Sequence, residues 1–366
     1  MQKLRKHSLV AATILLAFGV LLGSCSGVGD PKGENYPYHH MERGFRNPAD
    51  SPVRDTTAAG SFFPKFLWKQ LTQGPPEMPE DHLMPATQAR SALARMNGRD
   101  SISWIGHSTY LIRLDGVTVL TDPIFSNRAS PVSFAGPKRV PPFGLDLEDL
   151  PPIDVVVISH AHYDHLDTRT LDRLPNPQNI TAIVPLGLGG YFTKRGYGKV
   201  HELDWYDEVT LPARSGAFRL TAYPAIHWSN RSPFDRNRTL WMSYGFSAGG
   251  KSVYHTGDTA THPDEFVKIG RHMTRHHQGC DIGLISVGAY EPRAFMMSSH
   301  VDPEGGVQIG REVGCRRMTP MHWGTFVLAL EPFAEPRSRF IAAAGEQGFV
   351  LKIGETISLE SRHGDE

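Results

Sequence analysis

The chain is poor in cysteine, carries no net charge and has no apolar run long enough to cross a membrane comfortably. Its 38 basic side chains are matched by 38 acidic ones. That balance argues against a nucleic-acid binder working through broad phosphate neutralisation, leaving room only for a local basic patch around Arg128, Lys138 and Arg139. The apolar stretch Leu9 to Leu22 is too short for a comfortable span. Of the three cysteines, Cys25, Cys280 and Cys315, the latter two fall in no ligand pattern. They could pair in an oxidising compartment. Nothing in the sequence brings them together, and two buried unpaired thiols are the expectation. No internal repeat is obvious. With 366 residues, 40% of them hydrophobic, the chain can bury one large core or two ordinary ones.

What is present begins with a leader. Lys3, Arg5 and Lys6 precede the Leu9 to Leu22 stretch as a basic n-region before an h-region. The stretch ends Leu22-Gly23-Ser24-Cys25, which resembles a bacterial lipoprotein cleavage signal. The resemblance implies removal of residues 1–24, acylation of Cys25, and, from Ser26, sorting to the outer membrane facing the periplasm. The alternative is an ordinary secretory signal with a chance cysteine. Residues 25–59, rich in Pro, Gly, Asp and Asn, read as a tether that docks around Phe45-Arg46-Asn47-Pro48. No clear boundary follows, so 60–366 reads as one domain. The aromatic segment Phe62 to Lys69 reads as a helix packing on the core or as an element lying on lipid.

The densest chemistry is Ile158-Ser159-His160-Ala161-His162-Tyr163-Asp164-His165. It follows the apolar run Val155 to Ile158, which reads as a buried strand. His160 and His162 alternate by two and can project the same way from extended backbone, with Asp164 and His165 on the turn beyond. Imidazole nitrogen with carboxylate oxygen suits zinc or a neighbouring first-row metal. Three further candidates each follow an apolar stretch: His227, Asp258 after Gly257, and His322. Taken alone, His227 and His322 would read as partly buried histidines and Asp258 as an Asx turn or helix cap. Their recurrence at strand ends makes ligation the better reading. Seven groups are enough for two ions with room for one water.

Short strand patterns dominate: Ser101–Trp104, Tyr110–Leu114, Val117–Leu120, Val155–Ile158, Ala182–Val184, Phe218–Ala222, Trp241–Phe246, Ser252–Tyr254, Ile282–Ser286 and Phe349–Ile353. Helix signals interleave, with starts at Asp167-Thr168, Pro263-Asp264 and Pro303-Glu304, and a late helix from Phe340 to Gln347. The order fits an α/β (α+β) chain with two sheets face to face and helices outside.

His-x-His-x-Asp-His followed by spaced His, Asp and His resembles the metallo-β-lactamase superfamily. Longer strings narrow the resemblance to the N-acyl-phosphatidylethanolamine phospholipase D family. They include Trp104 to Thr109, Leu120 to Ser126, Gly136 to Arg139, Glu202 to Trp205, Gly288 to Arg293 and His322 to Phe326. The resemblance implies a four-layer αβ/βα sandwich and two zinc ions. His160, His162 and His227 would hold one ion, Asp164, His165 and His322 the other, with Asp258 bridging. It implies a catalytic part for Asp164 and Asp258. His300 matches a family histidine near the site that could orient a phosphate oxygen or protonate a leaving group; it could equally be a helix-flanking histidine.

The implied activity is phospholipase D-type hydrolysis of a phospholipid at a membrane surface, by hydroxide generated between two cations. A lactonase or other ester hydrolase on the same fold is one competitor. A zinc- or lipid-binding lipoprotein without catalysis is another. Export and neutral charge disfavour a nuclease. Association as a homodimer stays open.

Overall fold

Val155, Val156 and Val157 show how the layers are built. Alternate residues of a strand face opposite sides of a sheet. Val155 and Val157 join the cluster that holds Phe218, Leu220, Tyr244 and Phe246 of a second sheet. Val156 joins the cluster that holds Leu171 and Phe192 of outer helices. A strand covered on both faces has no polar side, which is why it reads as a continuous apolar run.

The computed structural model describes residues 29–359 except 56, 58 and 73. The expected leader and Cys25 lie outside the described residues. A short hairpin opens the described chain, β1 (His40–Met41) and β2 (Gly44–Phe45), followed by α1 (Ala59–Thr72) and α2 (Ala86–Arg95). Six strands come next: β3 (Ser101–Gly106), β4 (Thr109–Leu114), β5 (Val117–Thr121), β6 (Val155–Val157), β7 (Thr181–Pro185) and β8 (Lys199–Leu203). The short helices α3 (Thr168–Arg173) and α4 (Gly189–Thr193) lie among them. The second sheet contains β9 (Glu208–Ala213), β10 (Gly216–Tyr223), β11 (Ser243–Ala248), β12 (Lys251–His255), β13 (Cys280–Ser286) and β14 (Cys315–Met321). It carries α5 (Glu265–His277), α6 (Arg293–Met296), α7 (Pro303–Val313) and α8 (Glu335–Ala344). The chain then returns to the first sheet as β15 (Thr356–Ser358). The orders are β15-β3-β4-β5-β6-β7-β8 and β14-β13-β12-β11-β10-β9. Each sheet is parallel at one side, β5 to β8 and β12 to β14, so several strand ends point the same way.

Three expectations are corrected. Cys280 and Cys315 form a disulfide, their Cα atoms 4.4 Å apart. The reason is register: they are partners on the adjacent parallel strands β13 and β14. The segment Phe349 to Ile353 is not a sheet strand. It crosses between layers, Phe349 N–H donating to Met318 O and Ile353 N–H to His82 O, and the edge strand lies later, at β15. The late helix is α8, starting at Glu335 and ending at Ala344.

The N-terminal extension is held by specific contacts. His39 Nε2 and His40 Nε2 reach the two oxygens of Asp204, at 2.5 and 2.6 Å. Asn47 Oδ1 accepts from Trp241 Nε1 at 2.9 Å and from the backbone N–H of His227 at 3.0 Å. In α1, Phe62 and Phe66 are buried, Phe62 stacking on Phe295, while Trp68 is 69% exposed.

Candidate metal centre

Five loops converge at one edge of the sandwich, each leaving the end of a strand. His107 follows β3, the His160 to His165 cluster follows β6, His227 follows β10, Asp258 follows β12 and His322 follows β14. Two glycines make the approach possible. Gly257 has φ +57°, and a Cβ there would meet Met242 O at 2.7 Å. A Cβ on Gly288, just past β13, would meet His322 O.

The side chains form two adjoining groups. His160, His162 and His227 make one; Asp164, His165 and His322, joined by His107, make the other. Asp258 stands between them. Its Oδ2 is 2.9 Å from His322 Nε2 and 3.2 Å from His165 Nε2. The same oxygen is 3.9 Å from His160 Nε2 and from His227 Nε2. His300 Nδ1 is also 3.9 Å from it. All seven groups expected as ligands are therefore brought together, with His300 beside them.

Supporting contacts decide which ring nitrogen faces inward. Asp122 accepts from Ser159 N–H at 2.6 Å, from Ser159 Oγ at 2.7 Å and from His165 Nδ1 at 2.8 Å. Because Ser159 gives its proton to Asp122, its Oγ accepts from His160 Nδ1 at 2.9 Å. His227 Nδ1 donates to Ser299 O at 2.7 Å. Each of these bonds leaves Nε2 of the same ring turned toward the centre. Arg231 secures the loop itself, one guanidinium nitrogen donating to Ala161 O at 2.7 Å and Leu166 O at 2.8 Å.

The electrostatics suit a cation. Burial and neighbouring imidazoles push His160, His162 and His227 well below the ordinary histidine value, so they present lone pairs. Nitrogens approach one another directly: His160 Nε2 to His162 Nδ1 is 2.8 Å and His227 Nε2 to His162 Nδ1 is 3.2 Å. His162 Nε2 and His165 Nε2 are buried without a hydrogen-bond partner. Burial opposes charge on His165 and His322, yet Asp258 and Asp164 outweigh it and push both up, His322 to about 9. A field that holds protons there holds a divalent cation better. Burial would raise the Asp258 and Asp164 carboxyls, but His165 above all keeps both well below the usual range, so they stay anionic. This buried set of imidazole nitrogen and carboxylate oxygen fits zinc-class ions.

His107, Asp122, Ser299 and Arg231 were not among the expected site residues. His107 contacts Asp164 Oδ2 through Nε2 at 3.0 Å. Burial, then His322, pushes its imidazole down to about 3. The only sequence signal for His107 and Asp122 was their place in the family strings.

A family model described as Beta-lactamase superfamily domain matches residues 117–323. The chain is 38% identical over 245 residues to N-acyl-phosphatidylethanolamine-hydrolyzing phospholipase D 1 of Caenorhabditis elegans, covering 65% of this chain and 67% of that one. It is 33% identical over 248 residues to the mitochondrial N-acyl-phosphatidylethanolamine-hydrolyzing phospholipase D of Saccharomyces cerevisiae, covering 68% of this chain and 52% of that one. The structure of a metallo hydrolase from the archaeon Ignicoccus hospitalis superposes with a TM-score of 0.52 at 20% identity, over 71% of this chain and 98% of that one.

Proposed function

The chain belongs to the beta-lactamase superfamily, as a metal-dependent hydrolase homologous to N-acyl-phosphatidylethanolamine-hydrolyzing phospholipases D, and from that premise we propose a dinuclear zinc phosphodiester hydrolase of phospholipase D type. The carrying observation is the position of Asp258 Oδ2, within 3.9 Å of imidazole nitrogens from both groups. One carboxylate shared by two sets of three ligands is the arrangement of a bridged pair. His160, His162 and His227 would hold one zinc ion and Asp164, His165 and His322 the other, with Asp258 shared between them. Bound there, the pair supplies a water nucleophile at neutral pH and neutralises a phosphate oxygen.

The chain's own residues do the rest. Asp122, Ser159 and Ser299 orient the imidazoles, His107 holds Asp164, and Arg231 fixes the loop. His300, its Nδ1 3.9 Å from Asp258 Oδ2, would orient a phosphate oxygen; burial above all pushes its imidazole down to about 4. A cavity of about 800 Å³ reaches His322 and is lined by Phe326, Val327, Leu328 and Leu330, with Lys69 and Lys138 also on its wall. Apolar walls with cations suit a substrate joining acyl chains to an anionic head. The substrate class is a phosphatidylethanolamine, with or without an N-acyl chain; the products are phosphatidic acid and the head-group alcohol.

The test is hydrolysis in ¹⁸O-labelled water with mass spectrometry of the products, lost on chelation and restored by zinc. Water attacking phosphorus puts the label in phosphatidic acid, while the head-group oxygen leaves unlabelled with its proton. Label in released fatty acid alone would make the enzyme an ester hydrolase and overturn the proposal.

A further inference from the structure

Beside the metal centre lie a guanidinium and an indole N–H, Arg54 and Trp228, without an acceptor among the described residues. Arg54 comes from the N-terminal extension, and its guanidinium lies 4.9 Å from the ring of Trp228 and 4.9 Å from the ring of Phe295. Trp228 in turn lies 4.4 Å, ring to ring, from His162. Among the described residues no carboxylate comes within ion-pair distance of Arg54. A second guanidinium, Arg236, lies over the same Trp228 ring at 4.3 Å. The indole Nε1 of Trp228 is buried with no hydrogen-bond partner.

Each of these facts is costly alone. Half-burying an arginine without a counter-charge is unfavourable, and ring faces compensate only part of it. A second cation over the same ring adds repulsion. An indole N–H buried without an acceptor loses its hydrogen bond to water and gains nothing. Burial and then Arg236 bring Arg54 down to about 10, so it is still cationic at neutral pH. Arg54 and Trp228 thus offer positive charge and N–H donors, with no acceptor among the described residues, at the side of a hydrolytic centre.

We propose that Arg54, with the Trp228 N–H, forms the subsite that binds the oxyanion of the substrate, a phosphate-type group, beside the metals. Resting on the phosphodiester reading above, it adds the residue that selects for it. A phosphodiester has two non-bridging oxygens, so one can meet the metal centre while the other meets Arg54. A planar guanidinium matches that geometry. A neutral ester or lactone has no oxyanion in its ground state and gains little from Arg54. The extension that carries Arg54 also carries Asn47, which braces the His227 backbone, so the site is incomplete without it.

The test uses the metal-loaded full chain with inorganic phosphate as the probe, by calorimetric titration. Arg54→Gln should bind phosphate about ten- to a hundredfold more weakly than the parent, the scale of losing a charge-assisted hydrogen bond. Arg54→Lys should fall between them, and Trp228→Phe, which keeps the ring and loses the N–H, should lose part of the affinity. Metal content and thermal melting of each variant show whether the fold has been kept. In parallel, kcat/KM is compared for bis(p-nitrophenyl) phosphate and for neutral p-nitrophenyl acetate. Arg54→Gln should lose rate on the diester and keep it on the ester. Phosphate bound as tightly by Arg54→Gln as by the parent would overturn the proposal. If Arg54→Gln loses its metal, unchanged phosphate affinity in both Arg54→Lys and Trp228→Phe would overturn it. A parent that cleaves only the neutral ester would sink the phosphodiester reading, and the phosphate titration would still decide Arg54.

Discussion

Asp122 works one layer behind the centre. It takes three donors at a fully buried position, and one of them fixes the ring of His165. Asp122→Ala would strand all three. We expect a loss of about 10- to 100-fold in metal affinity or turnover, the usual scale for removing an outer partner of a ligating histidine. Metal titration and kinetics on the purified variant check this; parent-like values in both would remove Asp122 from the supporting set. His160, His162, Asp164 and His165 were legible in the sequence because they crowd into one loop, and His227, Asp258 and His322 because each follows an apolar stretch. Asp122 was not, since its partner lies 43 residues away. His107 stands 57 residues from Asp164, and Arg54 shares no local pattern with Trp228. Residues that support a site obey distances that no sequence window contains.

Among the elements, two attachments invite tests. The extension is clasped by Asp204 between His39 and His40, with His39 stacked on Trp205 at 4.0 Å. Burial pushes the Asp204 carboxyl up, but the bonds from His39 and His40 outweigh it and hold it below the ordinary aspartate value. A depressed carboxyl contributes stability that is complete above the ordinary value and lost as pH falls through the lower folded one. Limited proteolysis should therefore cut within residues 29–59 faster in Asp204→Asn at neutral pH, and in the parent below about pH 4. Equal cutting of variant and parent at pH 7 would show that the hairpin is held by other contacts. The disulfide ties β13 to β14 where both strands begin. Cys280→Ser should cost about 2–4 kcal/mol in unfolding free energy, read as a lower melting temperature that reductant no longer changes. Activity should survive at ordinary temperature, because His322 lies at the far end of β14, roughly 20 Å along the strand. The strands and α7 were readable from apolar runs and from Pro303. Strands β8 and β9 were not, because four of the five residues of β8 and five of the six of β9 are exposed or half-buried and give no apolar run.

The whole molecule is a catalytic sandwich with one edge given to metal chemistry and an N-terminal extension that reaches it. We propose that it works at the cell envelope, held by lipid on Cys25, which lies outside the described residues. Cys25→Ala should leave an unlipidated precursor or a soluble form, seen by fractionation of envelope and soluble material. A variant that still sediments with the outer membrane as the parent does would rule out the lipid as the anchor. The sequence by itself determined the chemistry of the centre and the two-sheet, helix-covered plan. Ligand types cluster in a short loop, and burial on two faces writes itself as apolar runs, so both are local signals. Only the tertiary structure decided which ring nitrogens face the centre, that Cys280 meets Cys315, and that Arg54 reaches Trp228. Those facts depend on strand register and on how the chain's distant segments dock, and both are set by packing that brings together residues far apart in sequence.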